Sequence, residues 1–287
     1  MVFLRVQDMF HVEKMFPKDF EFAARLSNTM NWDASEEDFE FNAKLEPEGC
    51  FVLYSDSEKV GITTAISFDQ VGWLGNVIVS EEHRGKGGGL LMVEKAMEYL
   101  TNKGVKTIGL YSYVDRIPFY AKQGFRFDSK FVVMKGKGFS RSTKAHVRAF
   151  TANDEQLIFD MDRLCFGGSR SRLLEPILND PANLCYVRAD TGQLFGFAVA
   201  KVIDEVSEVG PLVCRREHSD VATDLLFTIL SKLEGCEVSL CIPEKEAGIL
   251  KLLKQHGFRE HLILARLFRG TPIINDYIYI AESLERG

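Results

Sequence analysis

Residues 77–100 read VIVSEEHRGKGGGLLMVEKAMEYL, and this stretch decides the fold. Its apolar start, Val77, Ile78 and Val79, predicts a buried strand, and the residues after the glycines have the spacing of an amphipathic helix. The glycines of the turn RGKGGG lack the Cβ that would keep an anion away from the main chain. The first N–H groups of a helix point outward unpaired, and the helix dipole favours negative charge there. The stretch therefore predicts a cradle for a pyrophosphate group, with a turn that binds no ligand as the alternative.

Two common nucleotide-binding motifs do not fit this turn. A Walker A loop would need GxxxxGK[ST], which the chain lacks. A dinucleotide fold would need GxGxxG and an acidic residue about 20 positions further on. The predicted ligand is therefore of another class.

The composition is that of a globular protein. The 287 residues suffice for two domains of about 140 residues each. No apolar run approaches the roughly 18–20 residues that span a bilayer, and charges interrupt the N-terminus where a signal peptide needs an apolar run. We expect a soluble, cytoplasmic protein that binds no membrane.

Charge and cysteine content exclude two further classes of protein. The net charge of −6 is divided evenly between the two halves, so neither has the basic excess of a nucleic-acid binder. The six cysteines form no CxxC pair, which favours buried free thiols over zinc or disulfides. No metal is expected, because the histidines that could serve lack ligand spacing: His11, His146, His256 and His261.

The chain reads as two copies of one pattern. A Gly/Ser/Lys-rich stretch at residues 135–146 interrupts the hydrophobic pattern and marks a boundary. AKQGF at 121–125 and LKQHGF at 253–258 end matching amphipathic segments, and a β-rich stretch follows each. We predict domains at residues 1–138 and 146–287.

Both copies predict a mixed sheet with flanking helices, an α/β (α+β) class. The first copy predicts helices at 15–28, 35–45, 88–103 and 116–123, with strands at 50–55, 59–68, 73–79 and 106–112. The second predicts helices at 153–165, 171–179, 220–233 and 244–256, with strands at 184–189, 194–203, 207–213 and 236–242.

Two motifs in the first copy resemble the GNAT superfamily, the Gcn5-related N-acetyltransferases. Arg84-x-x-Gly87-x-Gly89 after an apolar strand matches the family signature [Q/R]xxGx[G/A], and residues 118–125, PFYAKQGF, are similar to its YxxxGF ending. The resemblance covers roughly residues 3–137. The second copy, with CFGGSRSRLL at 165–174, more loosely resembles the C-terminal domain of YitH/HolE-type acetyltransferases.

The resemblance implies acetyl-CoA as co-substrate, bound between two splayed strands. It implies that main-chain groups of Val77, Ile78 and Val79 bind the pantetheine arm and that the signature loop holds the pyrophosphate. The implied cofactor-binding residues of the loop and helix start are Arg84, Gly85, Lys86, Gly87, Gly88, Gly89 and Leu90.

The second copy lacks this cradle. When Val213 is aligned with Val79, Val221 and Thr223 replace Gly87 and Gly89, and β-branched side chains would obstruct a phosphate. We expect a degenerate GNAT-like domain that shapes the acceptor site or only stabilises the chain.

Acyl transfer to an amine needs a proton donor for the thiolate and a proton acceptor for the amine. Tyr120 matches the tyrosine that protonates the CoA sulfur in many GNAT enzymes, with a core role as the alternative. For the base we choose Glu81 over the other candidates, Asp69, Glu82 and His83, although residues of this kind are more often plain surface charge. The Asn that many GNAT sequences carry upstream of this tyrosine is absent, and Ser112 and Asp115 are polar substitutes.

Three other features allow two interpretations. Seven acids between Asp33 and Glu48 either concentrate cationic amines or form a solvated helix face. Trp32 is either an apolar wall of the acceptor site or a core residue. Lys122 either pairs with a CoA phosphate or is solvated.

We expect an N-acetyltransferase that moves acetyl from acetyl-CoA to a primary amine of a small molecule, with a homodimer possible. A non-catalytic acyl-CoA sensor, a protein or peptide lysine acetyltransferase and a longer acyl donor remain alternatives.

Overall fold

The computed structural model describes residues 9–141, 146–190, 192–203, 206–273 and 277–287. The chain divides into two compact units. The first comprises residues up to Leu110 together with Arg286, and the second runs from Tyr111 to Glu285 with Gly287. The stretch at 135–146 lies partly outside the described residues, so a boundary there between the two sequence copies stays a prediction.

The first unit is a mainly antiparallel sheet with helices. Its elements are β1 (Phe10–Lys14), α1 (Phe20–Asn28), α2 (Glu36–Leu45), β2 (Cys50–Ser55), β3 (Glu58–Phe68), β4 (Val71–Val79), α3 (Gly88–Asn102) and the start of β5 (Thr107–Tyr113). The order of its strands is β1-β2-β3-β4-β5, and only β4 and β5 run parallel.

The helix starts follow from local capping. At α2, Ser35 N–H donates to Asp38 Oδ2 at 2.9 Å and Asp38 N–H donates to Ser35 Oγ at 3.3 Å, the capping box that the sequence predicts. The helix predicted at 15–28 is shorter, because Phe16 N–H donates to Asp19 Oδ2 and a 3₁₀ turn precedes α1. Strand β1 was not predicted.

A buried carboxylate joins three elements of the first unit. Glu46, 2% exposed, accepts hydrogen bonds from Ser67 N–H (2.9 Å), Ser67 Oγ (2.6 Å) and Tyr99 Oη (2.6 Å), and Lys103 Nζ lies 3.2 Å away. Burial raises the pKa of the Glu46 carboxyl, but the hydrogen bonds from Ser67 and Tyr99 outweigh it and lower that pKa to about 2. Glu46 is thus ionised and ties the end of α2 to β3 and α3.

The second unit is a larger sheet with helices. After the end of β5 its elements are α4 (Ile117–Ala121), β6 (Arg126–Lys137), β7 (Arg148–Ala149), α5 (Glu155–Phe166), α6 (Ser171–Asn179), β8 (Leu184–Asp190), β9 (Gln193–Ile203), β10 (Val206–Arg215), α7 (Ser219–Lys232), β11 (Glu237–Pro243), α8 (Ala247–Gln255), β12 (Arg259–Arg269) and β13 (Tyr277–Ile280). Its strand order is β12-β6-β11-β10-β9-β8-β7, with β13 paired to β10. The mixed α/β class is confirmed.

Strand β6 comes from the first sequence copy but lies within the second unit. It pairs antiparallel with β11 on one side and with β12 on the other. The division into two compact units therefore differs from the division into two sequence copies.

A buried ion pair organises the motif CFGGSRSRLL. The Arg170 guanidinium is fully buried and donates to both Asp162 carboxylate oxygens, at 3.0 and 2.7 Å. It also donates to Tyr279 Oη at 3.2 Å and to the Gly287 carbonyl, and it lies 4.2 Å from the centre of the Phe166 ring. The motif thus holds α5 against the C-terminal segment of the second unit.

Candidate functional site

Strand β4 has a bulge in its pairing with β3. Ile62 pairs with Ile78 and Thr64 with Gly75, so Asn76 and Val77 together face Thr63. Asn76 has a left-handed backbone, φ 51°, which Asn tolerates better than a β-branched residue would. Its Nδ2 donates to Thr64 Oγ1 at 3.3 Å.

The parallel pairing of β4 with β5 is short. It covers Val71–Trp73 against Thr107–Gly109. Within the described residues no strand pairs with this edge of β4 beyond Trp73. Ile78 is buried, whereas Val77 and Val79 are half-buried. The edge at residues 77–79 thus offers main-chain groups to an extended ligand.

The signature loop follows this edge directly. A 3₁₀ turn, Glu81–His83, leads into exposed residues 84–86, and α3 begins at Gly88. No side chain caps α3, and its first turn carries no acidic residue. The described start of this helix therefore presents main-chain N–H groups and the positive end of the dipole.

The glycines of the loop serve three different purposes. Gly85 and Gly87 have φ values of 76° and 98°, which only glycine adopts readily. A Cβ on Gly88 would approach Leu53 Cδ2 to 2.6 Å, so this position is needed for packing. A Cβ on Gly89 would meet only Val79 Cγ2, at 3.7 Å. Since neither fold packing nor backbone strain requires glycine at residue 89, its open space fits an anion at the helix start.

Arg84 fixes the geometry of the loop. Its Nε donates to the Val79 carbonyl at 2.9 Å, and its Nη2 lies 3.4 Å from Met30 Sδ, in the segment after α1. Sequence reasoning placed Arg84 in the cofactor site but did not identify this contact with the end of β4. Lys86 is exposed.

The candidates for the base lie in different surroundings. Glu81 and Glu82 are exposed on the 3₁₀ turn. The His83 ring is oriented by Ser80 Oγ, 3.0 Å from Nδ1, and by the edge-on ring of Phe10. Asp69 lies in the turn before β4, and β4 itself is about 26 Å long from Val71 to Val79. The structure thus separates Asp69 from the signature loop.

Tyr120 belongs to the second unit. It lies in α4, is 8% exposed and packs edge-on against Phe119 and Phe125. Its hydroxyl makes no hydrogen bond to the described residues and is not among the fully buried oxygen atoms. Burial raises its pKa above the ordinary tyrosine value. The phenol is therefore protonated at neutral pH and free to donate.

The polar substitutes near Tyr120 are engaged locally. Ser112 Oγ donates to the adjacent Tyr113 carbonyl at 3.0 Å, and Asp115 pairs with Arg116 at 3.4 Å on the surface. Lys122 is exposed.

The acids between Asp33 and Glu48 are less available to attract a cationic amine than their number indicates. Several of these acids have structural partners: Asp38 caps α2, Glu40 pairs with Lys44, Glu46 is buried and Glu48 pairs with Lys14.

Trp32 is not a core residue. It is 36% exposed and lies between Asn31 and Asp33, which both have left-handed backbones.

Two family models together match most of the chain. The model of the acetyltransferase (GNAT) family matches residues 12–125, and a second model, an acetyltransferase (GNAT) domain, matches residues 158–279. The chain belongs to the GNAT superfamily of acetyltransferases. The tandem GNAT-like organisation that the sequence predicts is confirmed, and the protein is an enzyme of this N-acetyltransferase type.

The alignments with individual relatives cover most of this GNAT chain. The uncharacterized N-acetyltransferase YitH of Bacillus subtilis (strain 168) is 23% identical over 92% of this chain and 93% of its own length. The holothin acyltransferase of Pseudoalteromonas sp. (strain SANK 73390) is 23% identical over 83% of this chain and 81% of its own. The crystal structure of a Pyrococcus horikoshii protein has the same fold, with a TM-score of 0.82 at 21% identity over 100% of this chain and 98% of its own.

The described residues include neither a membrane-spanning helix nor a cluster of metal ligands. No helix there is long and apolar enough to cross a membrane. No group of three or more His, Cys, Asp or Glu side chains among them could hold a metal ion.

Proposed function

We propose that this GNAT protein transfers acetyl from acetyl-CoA to a primary amine of a small molecule by direct transfer, with its first unit binding the co-substrate. The observation that carries the proposal is the combination of the unpaired edge of β4 and the uncapped, acid-free start of α3. These are the two kinds of main-chain surface that an amide-bearing arm and a pyrophosphate require.

The residues present fit this ligand. Gly89 has open space where a phosphate would approach, and the backbone at Gly85 and Gly87 turns the loop without side chains. Arg84 keeps that turn in place through Val79. We assign the arm to the main chain of residues 77–79 and the pyrophosphate to the N–H groups of residues 85–90.

Acetyl-CoA supplies an acyl thioester, so the amine must lose one proton and the departing thiolate must gain one. Tyr120 is the proposed donor, because it matches the family tyrosine and its buried phenol stays protonated. Because its pKa is raised, the phenol is a weak acid, and its first role is to donate a hydrogen bond. Glu81 is the proposed acceptor, directly or through water, since it is the first acid after β4 and is solvent-exposed.

The acceptor is proposed to be a small amine. The similarity to the holothin acyltransferase, a relative named for the acceptor holothin, supports this class. The possible homodimer and the cytoplasmic location stay predictions.

The test is release of free CoA from acetyl-CoA in the presence of single amines. A panel of amino acids, polyamines and amino sugars is compared with lysine-containing peptides and with octanoyl-CoA as donor. Turnover that is fastest with acetyl-CoA and a small amine supports the proposal. Turnover confined to peptides, or binding of acetyl-CoA without any turnover, would contradict it.

A further inference from the structure

The second unit repeats the bulge and the short parallel pairing of the first. The pairing of β10 with β9 shifts between Val209 and Leu212, so two residues face one, at the positions that correspond to Asn76 and Val77. Parallel pairing of β10 with β11 is again confined to three residues, Val206–Glu208 against Glu237–Ser239. In both units the parallel pairing thus stops partway along the strand, and the cleft of a GNAT fold would begin there, between β10 and β11 in the second unit.

This second cleft is occupied by the chain itself. Strand β13 pairs antiparallel with β10, with Ile280 against Leu212 and Tyr279 against Val213. Leu212 and Val213 correspond to Ile78 and Val79. Beyond β13, Ala281 N–H donates to the Cys241 carbonyl of β11 at 3.0 Å, so the segment meets both walls of the cleft.

Three of the four residues of β13 are buried, and they lie on both of its faces. Ile278 and Ile280 are 4% and 0% exposed and belong to the core formed with α7 and α8. Tyr279 faces the other way and accepts from Arg170. The fit is tight: a Cβ on Gly210 would lie 1.9 Å from the Ala281 carbonyl oxygen.

Polar anchors hold both ends of the segment. Arg216 Nη2 donates to the Tyr277 carbonyl at 3.0 Å and to Glu246 at 2.8 Å. Lys201 Nζ donates to the Glu282 carbonyl at 2.9 Å and pairs with the Glu282 carboxylate at 2.5 Å. The segment is therefore an integral part of the unit.

The helix start in the second unit is also unsuited to a phosphate. Asp220 lies in the first turn of α7, whereas α3 has no acid there. A carboxylate at a helix N-terminus repels an anion and already neutralises the dipole.

We infer that β13 is a built-in peptide occupant of the β10–β11 cleft, so that the chain binds one acyl-CoA, in the first unit, and the second unit is a closed scaffold. The single-site part of this inference rests on the proposed function. The occupancy by β13 does not.

Hydrogen–deuterium exchange followed by mass spectrometry tests the occupancy in the ligand-free protein. We expect amides of residues 212–215 and 277–280 to exchange at least about 100-fold more slowly than an unstructured chain. Gly210→Ala should accelerate exchange at 277–280 by tenfold or more, whereas Gly248→Ala, where a Cβ meets nothing within 4 Å, should leave it unchanged. Exchange of 277–280 at the unstructured rate in the native protein would overturn the inference, whether or not Gly210→Ala folds.

Equilibrium dialysis against acetyl-CoA tests the stoichiometry. We expect one equivalent of acetyl-CoA per chain. Bound acetyl-CoA should slow amide exchange at residues 77–79 and leave exchange at residues 212–215 unchanged. Two equivalents, or acetyl-CoA-dependent slowing at 212–215, would overturn the inference. No binding at all would refute the proposed function instead, and exchange at 277–280 would still decide the occupancy of the cleft.

Discussion

Arg84 Nε donates a hydrogen bond to the main-chain carbonyl of Val79, five residues earlier and at the last position of β4. The first residue of the signature therefore ties the turn back to the strand edge that it follows. The side chain of Arg84 thus acts on the shape of the loop, and Lys86 is left as the exposed cation beside it.

We predict that Arg84→Ala weakens binding of acetyl-CoA about tenfold, since one hydrogen bond of about 1–1.5 kcal/mol no longer shapes the loop. Arg84→Gln should stay within about threefold of the native protein, because a glutamine amide can still donate to the Val79 carbonyl. Isothermal titration calorimetry with both variants measures this. Equal affinities of the alanine and glutamine variants would show that the contact is unimportant.

Tyr120→Phe should lower kcat about 100-fold and leave the affinity for acetyl-CoA unchanged. The hydroxyl makes no hydrogen bond to the described residues, so thermal stability should also be unchanged. Because burial raises its pKa, Tyr120 should keep its proton, and the native rate should show no alkaline loss from this group up to about pH 9. Steady-state kinetics against pH, with Tyr186→Phe as control, test this. Full activity of Tyr120→Phe would assign the residue to the core.

Glu46 should make the first unit sensitive to acid. Its pKa is lowered from 4.5 to about 2 in the folded protein, so its contribution is complete above about pH 4.5 and is lost as the pH falls towards 2. The shift corresponds to about 3 kcal/mol, and Glu46→Gln should remove most of it and flatten the pH dependence in that interval.

The two tryptophans, Trp32 and Trp73, both lie in the first unit, so their fluorescence during urea unfolding reports on this unit. Glu48→Gln, 65% exposed at the side chain, is the matched control and should retain the native pH dependence. An unchanged slope between pH 5 and pH 3 in Glu46→Gln would contradict the assignment.

Asp162→Asn should destabilise the second unit by about 3–5 kcal/mol, because it leaves the Arg170 guanidinium buried without its carboxylate. Asp160 lies on the exposed face of the same helix. As the control, Asp160→Asn should change the free energy of unfolding by less than about 0.5 kcal/mol. Chemical denaturation followed by circular dichroism compares the two variants. Similar stabilities would refute a structural role for the motif CFGGSRSRLL.

Local pattern was enough to predict the elements around the signature. Helix α3, strand β4 and the hairpin before it lie within two residues of the sequence prediction, because apolar periodicity and capping residues are local signals. The capping box of Ser35 is an example that the structure confirms.

Features that depend on pairing across the chain were not predicted. Nothing local in YIYI shows that β13 pairs with β10, and nothing in residues 126–137 shows that β6 lies between β11 and β12. The bulge at Asn76 had a weak signal, a lone Asn in an apolar strand, since Asn tolerates the left-handed backbone. Strand partners are set by burial and by non-local contacts, which periodicity does not encode.

The most direct test of the central claim is calorimetric titration of acetyl-CoA into the native protein, Gly89→Val and Gly248→Val. Both glycines lie in the first turn of a helix, and a Cβ on either meets no close neighbour, so the two substitutions affect the fold alike. We predict micromolar binding of one equivalent to the native protein and to Gly248→Val, and binding at least about tenfold weaker to Gly89→Val. Equal affinities of all three proteins, or no binding to the native chain, would contradict the placement of the co-substrate at the start of α3.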